Sequence, residues 1–199
     1  MSRPLDSHWN AAKCVLRYLS GTCNYGILYI DISDVTLAGY SDSDWAGNLD
    51  DRIFITGYAF SIGSRVISWS SKKQSIVALS SCEGEYQALC ATTCKSIWLR
   101  RLLNDAGEGQ KEATSIKTDN QSTIKLAYNP IFHKNTKHID TQFHFVREKI
   151  QSKEICVDYC NTSDNLGDIF TRPIGRVKFE LFRGMLSVQN NHFSIKGGS

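Results

Sequence analysis

Gly39-Tyr40-Ser41-Asp42-Ser43-Asp44-Trp45-Ala46-Gly47 is a short run of strand character that carries two carboxylates and then breaks into a turn. Side chains alternate across a strand, so Asp42 and Asp44 point to one face. Two anions placed in this way repel each other unless a cation or an arginine stands between them. The stretch therefore reads as the first arm of a metal site, with Asp42 or Asp44 as the ligand. What the rest of the chain must supply is further carboxylates.

Downstream, the polar loop 48–52 leads into two strand-like runs, Phe54 to Ile62 and Arg65 to Ser71, with Gly63-Ser64 between them. That is a hairpin signal, and with the opening stretch it predicts three sequential antiparallel strands. Trp69 in the third run reads as a core residue. Ser80 to Ala106 is the longest helical pattern, with Tyr86, Leu89, Cys90, Thr93, Cys94, Ile97 and Leu102 as its expected buried stripe and Gly107 and Gly109 past its end. Ser80-Ser81-Cys82-Glu83 fits a capping box, which commits Glu83 to the helix start and leaves Glu85 free at the edge of the sheet-facing side.

Ser115 to Thr118 is a further strand, and Asp119 stands where it gives way to a helix that ends at Asn129-Pro130. An Asp at such a junction also has a plain reading as an N-cap. His138 to Ser152 predicts a helix burying Ile139, Phe143, Val146 and Ile150, Glu154 to Cys160 a strand, Ser163 to Thr171 a helical turn carrying Asp168, and Val177 to Leu186 a terminal amphipathic helix. Upstream lie an amphipathic helix over Ser7 to Ser20, with Trp9, Ala12, Val15, Leu16 and Leu19 on its apolar side, and a short strand over Gly26 to Ile30. The order predicts a mixed α/β fold: three antiparallel strands, then parallel strands, flanked by helices. The expected division is 1–34, 35–172 and 173–199, with a joint near Asp31–Val35.

Composition narrows the function classes. At 199 residues, 41% hydrophobic and 22% charged, the chain reads as globular, with no run long and apolar enough for a membrane span and no signal-peptide pattern at its start. Seven cysteines, an odd number scattered through helices and strands, fit thiols in a reducing intracellular setting better than a disulfide framework. A net charge of +3 demands no nucleic acid, although Lys72-Lys73 and the stretch after Asp168 are locally basic. A zinc set of His133, His138, Cys156 and Cys160 is the weaker metal reading, because Cys156 and Cys160 are spread along one strand and not paired in a tight knuckle.

Asp42, Glu85, Asp119 and Asp168 all end elements that one mixed sheet can bring together. Carboxylates alone select hard cations such as Mg²⁺, which keep waters and bind phosphate oxygens. Two such ions about 4 Å apart activate a water and stabilise the leaving oxygen of a phosphodiester.

The blocks Tyr40–Gly47, Ile67–Gln74, Ala78–Tyr86, Thr118–Ser122, Thr136–Asp140 with His144–Glu148, and Asp168–Thr171, in this order, resemble the ribonuclease H domain of copia-type retrotransposon polyproteins. His8–Lys13 and Leu16–Thr22 are similar to the piece that connects the reverse transcriptase to that nuclease. The resemblance implies a ribonuclease H fold and cleavage of the RNA strand of an RNA–DNA hybrid. It implies a catalytic and metal-binding quartet of Asp42, Glu85, Asp119 and Asp168 holding two Mg²⁺ or Mn²⁺ ions, with Asp44 the alternative to Asp42. Asn120, Gln121 and Ser122 become candidates for 2′-hydroxyl contacts, and Lys72, Lys73 and Arg172 for phosphate contacts. The implied partners are the hybrid and the reverse transcriptase portion of the same polyprotein, in the cytoplasm within a virus-like particle or in the nucleus, with no membrane and no small-molecule cofactor. Two features depart from the family: the loop 161–165 lacks a histidine often found before the last Asp, and Arg52–Gly57 is unusually apolar. The alternative reading is an inactive remnant that only binds nucleic acid or serves as a structural module.

Overall fold

The computed structural model describes residues 4–29, 35–45, 53–63, 65–75, 77–78, 80–129 and 137–190, and the side chains of 137–140 lie outside that description. The predicted loop 48–52, most of the joint near Asp31–Val35, His133, and the side chains of His138 and Ile139 therefore fall outside the described residues.

Helix α1 (Asp6–Thr22) and strand β1 (Tyr25–Ile27) open the chain, followed by β2 (Leu37–Trp45), β3 (Phe54–Ile62) and β4 (Arg65–Lys73). Helix α2 (Ser81–Asp105), β5 (Thr114–Thr118), α3 (Gln121–Tyr128), α4 (Lys137–Gln151), β6 (Ile155–Tyr159), α5 (Arg176–Met185) and β7 (Val188–Asn190) complete it, with a one-turn 3₁₀ helix at Leu166–Phe170 before α5. The main sheet has the order β4-β3-β2-β5-β6. Strands β2, β3 and β4 pair antiparallel, whereas β5 pairs parallel to both β2 and β6. Hairpin neighbours can be antiparallel with short turns, but parallel neighbours need crossovers. Helix α2 makes the first crossover and α3 with α4 the second. The predicted mixed sheet is thus the observed one.

Alternation along β3 shows how the two faces are covered. Phe60 packs with Leu37 and Leu99 beneath α2, while its neighbour Ala59 packs on the other side with Val66, Leu166 and Phe182. On the helix-covered side Tyr86, Leu89, Ile116, Val146 and Val157 join α2, α4, β5 and β6 in one core. Fully buried Phe182 anchors α5 to the opposite side. Strands β1 and β7 form a separate antiparallel ribbon.

Three packing expectations are corrected. Trp69 is 55% exposed on β4, an edge strand whose one sheet neighbour is β3. The sheet-facing stripe of α2 holds Thr93 as expected but also Thr92 and Ser96, whereas Cys94 and Leu102 are exposed. Thr92 and Thr93 turn their hydroxyls back onto the carbonyls of Ala88 and Leu89, each at 2.8 Å, so these two side chains fit against the sheet with their donors satisfied. Ile150 is only partly buried, although Phe143 and Val146 are buried as expected. Helix α1 forms but buries none of its residues, leaving Trp9, Val15, Leu16 and Leu19 exposed. Among the described residues no helix is long and apolar enough to cross a membrane.

Candidate active site

Asp42 lies in the central strand β2, next to both an antiparallel and a parallel neighbour, and is 5% exposed. Glu85 comes from just past the first turn of α2. Ser80 caps that helix by accepting the Glu83 N–H at 3.2 Å, which turns Glu85 toward β2 as the capping pattern predicts. Asp119 follows the last residue of β5, the parallel neighbour of β2. The N-cap of α3 is Asn120, whose side-chain oxygen accepts the Thr123 N–H at 3.0 Å, so Asp119 is not needed as a cap.

These three carboxylates converge: an oxygen from each of Asp42, Glu85 and Asp119 lies within 4.8 Å of the other two. Burial, and then the charges of Asp42 and Asp119, push the Glu85 carboxyl up to about 9, against the pull of a Ser43 backbone N–H. Burial also raises Asp42 to about 6, opposed by the Thr171 hydroxyl that donates to its Oδ2. Glu85 Oε2 is buried and has no hydrogen-bond partner. A buried lone pair facing two more carboxylates suits a hard cation, and the all-oxygen donor set suits Mg²⁺ or Mn²⁺.

Asp168, the fourth expected acid, sits beside this group and is not among the three carboxylates whose oxygens converge within 4.8 Å. It is 1% exposed, and its two oxygens accept from Arg172 Nε at 2.5 Å and from Lys178 Nζ. The cations on either side draw its carboxylate to themselves. Asp44, the alternative to Asp42, is partly exposed with Arg172 Nη1 at 3.7 Å from its Oδ1. Gln121 and Ser122 are exposed at the start of α3. Lys72 and Lys73 are exposed at the end of β4, where they line, with Gln74 and Gln87, a groove of about 410 Å³ along α2.

Sequence reasoning missed Asn165, Thr171 and Lys178. Asn165 is fully buried and its side-chain nitrogen donates to Ser41 O and Asp42 Oδ1, both at 3.2 Å, and reaches Asp119 Oδ1 at 3.5 Å. It thus supplies donor hydrogens between two carboxylates that would otherwise repel. Nothing in Asn161-Thr162-Ser163-Asp164-Asn165 distinguished it from an ordinary turn residue. The space it needs is legible in hindsight: Asp42 pairs across the sheet with Gly57, where a Cβ would meet Thr171 Cγ2 at 2.6 Å and Gly167 O at 2.7 Å. Gly57 on β3 and Gly167 on the 3₁₀ turn, where a Cβ would meet Asp42 Cβ at 2.6 Å, let the turn lie directly on Asp42.

The chain is 41% identical over 188 residues to the retrovirus-related Pol polyprotein from transposon RE2 of Arabidopsis thaliana, a match covering 94% of this chain and 13% of that one. It is 40% identical over 191 residues to the corresponding protein of transposon TNT 1-94 of Nicotiana tabacum, covering 96% and 14%. The chain belongs to the retrotransposon Pol polyprotein family. It spans about an eighth of the length of these Pol relatives. No protein-family model matches this Pol segment. Its fold is that of ribonuclease H: LC11-RNase H1, isolated from compost by a metagenomic approach, aligns with a TM-score of 0.50 at 11% identity, covering 69% of this chain and 93% of that one.

Proposed function

We propose that the chain is a metal-dependent ribonuclease H that hydrolyses the RNA strand of an RNA–DNA hybrid during retrotransposon reverse transcription. The observation that carries this reading is the buried cluster of Asp42, Glu85 and Asp119 with the unpartnered Glu85 Oε2, in a Pol-family chain of ribonuclease H fold. Asp42, Glu85 and Asp119 would hold divalent cations, with Asp168 reaching a second ion from the side. Bound there, Mg²⁺ or Mn²⁺ supplies the means to activate a water and to stabilise the leaving oxygen of the phosphodiester.

The chain's own groups prepare that chemistry. The Asn165 amide and the Thr171 hydroxyl hold the two oxygens of Asp42 in place, and Thr162 Oγ1 donates to Asp119 Oδ2 at 2.7 Å. A carboxylate whose rotamer is fixed by donors loses less entropy when it meets a ligand. Asn120 commits its oxygen to the helix cap, so Gln121 and Ser122, exposed beside Asp119, are the better candidates for 2′-hydroxyl contacts. Lys72 and Lys73 would meet phosphates along their groove, setting register without reading sequence. Arg172 is committed to Asp168 and Asp44, which weakens it as a phosphate contact.

In this reading residues 1–34 belong to the connection with the reverse transcriptase portion, 35–172 form the nuclease, and 173–199 form a terminal helix and tail. The linked polymerase portion would be the partner that covers the apolar side of α1. A labelled RNA–DNA hybrid incubated with the purified chain and Mg²⁺, beside Asp42→Asn and Glu85→Gln, tests the nuclease. Cleavage by the parent, lost by at least about a hundredfold in both variants, is expected. Absent cleavage, or cleavage unchanged in both, overturns it, and hybrid binding without cleavage would leave the non-catalytic module in its place.

A further inference from the structure

Asp168 and the Asp42–Glu85–Asp119 group meet their counter-charges differently. Among the described residues no ion pair joins a side-chain cation to any of the three converging carboxylates, and one of their oxygens, Glu85 Oε2, has no hydrogen-bond partner. Asp168 has a cation on each oxygen. Building on the proposed nuclease site, we propose that Lys178 is a positioning residue that holds the place of a second divalent ion. The site takes one ion on Asp42, Glu85 and Asp119, and takes a second, shared with Asp168, only as the Lys178 ammonium is displaced.

The two cations on Asp168 are not equivalent. Arg172 lies four residues along the same turn and is held at a second point by Asp44, so its rigid fork stays in position. Lys178 reaches in from a separate element, α5, with a flexible stem and a side chain 30% exposed, so it can withdraw toward solvent without moving the backbone at Asp168. An ammonium and a divalent cation at one carboxylate oxygen repel each other, so occupation by either weakens the other.

Lys178 is also wired to the rest of the site. Its Nζ donates to Thr162 O at 3.1 Å, and the hydroxyl of the same Thr162 donates to Asp119 Oδ2. Thr162 belongs to the loop before Asp168 in which the sequence places no histidine, so the basic group that this loop meets comes from α5. Withdrawal of Lys178 frees a carbonyl one residue's reach from a metal ligand, which couples the state of Asp168 to that of Asp119.

The test counts ions. Metal-free protein is titrated with MnCl₂ by calorimetry, with bound Mn²⁺ counted by electron paramagnetic resonance, for the parent, Lys178→Met, Lys178→Arg and the double variant Lys178→Met/Asp168→Asn. The parent should bind one ion, with a second at least about tenfold weaker, and Lys178→Met should tighten the second by about tenfold or more. Lys178→Arg, which keeps the charge on a stiffer side chain, should leave the second ion no tighter than in the parent, and the double variant should lose the second ion. Two equal ions in the parent, or a second affinity unchanged in Lys178→Met, overturns the proposal while the nuclease reading stands. No ion bound by any form overturns both.

A measurement on the unaltered protein guards against a variant that fails to fold. Mass spectrometry reads the labelling of Lys178 by an amine-reactive ester at increasing Mn²⁺. Labelling should rise with the second ion and not with the first, and labelling that stays constant through both overturns the proposal.

Discussion

Replacing Glu85 with glutamine should stabilise the metal-free protein at alkaline pH, although it removes a proposed ligand. The Glu85 carboxyl is pushed from 4.5 up to about 9 by burial and by its acidic neighbours. Between those values the folded protein keeps a proton that the unfolded chain has released, so rising pH favours unfolding throughout that window. Each unit of separation is worth about 1.4 kcal/mol, which sets a ceiling of about 5 kcal/mol at pH 8. Relaxation and water entry reduce such penalties, leaving about 2–4 kcal/mol. Glutamine has the same shape and no charge to bury, and the protonated carboxyl it replaces has an equally unpaired atom, so the losses from unmet hydrogen bonding largely cancel. In chelator at pH 8, Glu85→Gln should therefore melt roughly 5–10 °C above the parent, with the gap closing toward pH 5. Asp42, raised to about 6, adds a loss of the same sign in the parent between its ordinary value and that pH. Adding Mg²⁺ should narrow or reverse the order, because the parent gains a bound cation and the variant gains less. Scanning calorimetry from pH 5 to pH 9, with and without Mg²⁺, measures both effects. A gap independent of pH, or a less stable variant at pH 8 in chelator, refutes the reasoning.

Two substitutions probe how the 3₁₀ turn is seated. Asn165→Ala removes the donor to Ser41 O and Asp42 Oδ1 and the acceptor for Gly167 N–H, all in a fully buried position, and should lower stability by about 2–4 kcal/mol in urea titrations. Part of that loss should return with Mn²⁺, which replaces the missing positive field between Asp42 and Asp119. Gly57→Ala places a methyl 2.7 Å from the Gly167 carbonyl and should displace the turn from β3 while leaving Asp42, Glu85 and Asp119 on their own elements. The expected outcome is one-ion binding retained with hybrid cleavage lost, and cleavage at the parent's rate would show that the turn is not needed.

What was legible in the sequence was whatever a single element determines. The Gly63-Ser64 break gave the hairpin, and the Ser80 cap separated Glu83 from Glu85 because capping is fixed by a spacing of three residues along one helix. The strand end at Asp119 was equally local. What escaped depends on contacts between distant segments. Asn165 lies 123 residues from the aspartate it supports, and Lys178 reaches Asp168 from another helix. The stripe of α2 was misjudged for a different reason: counting apolar residues overlooks Thr92 and Ser96, and the Thr92 hydroxyl buries well because a helix carbonyl is within its reach. Trp69 was misjudged because hydropathy does not say which strand of a sheet lies at its edge.

The two parts of the site are poised in opposite senses, and the fold accounts for the difference. Asp42, Glu85 and Asp119 are delivered by β2, α2 and β5, elements tied together by sheet pairing and by the core under α2, so they cannot move apart to relieve their repulsion. The relief available in the free protein is to take up protons, which is what the raised Glu85 and Asp42 carboxyls express. Asp168 rides on a short 3₁₀ turn next to α5, and its charge is met by side chains that local geometry brings along. A rigid acidic pocket favours prompt capture of a first cation, with release of protons, whereas a satisfied carboxylate yields to a second cation only by exchange. Affinity for the first ion should therefore rise with pH through the Glu85 window, and access to the second should depend on the lysine.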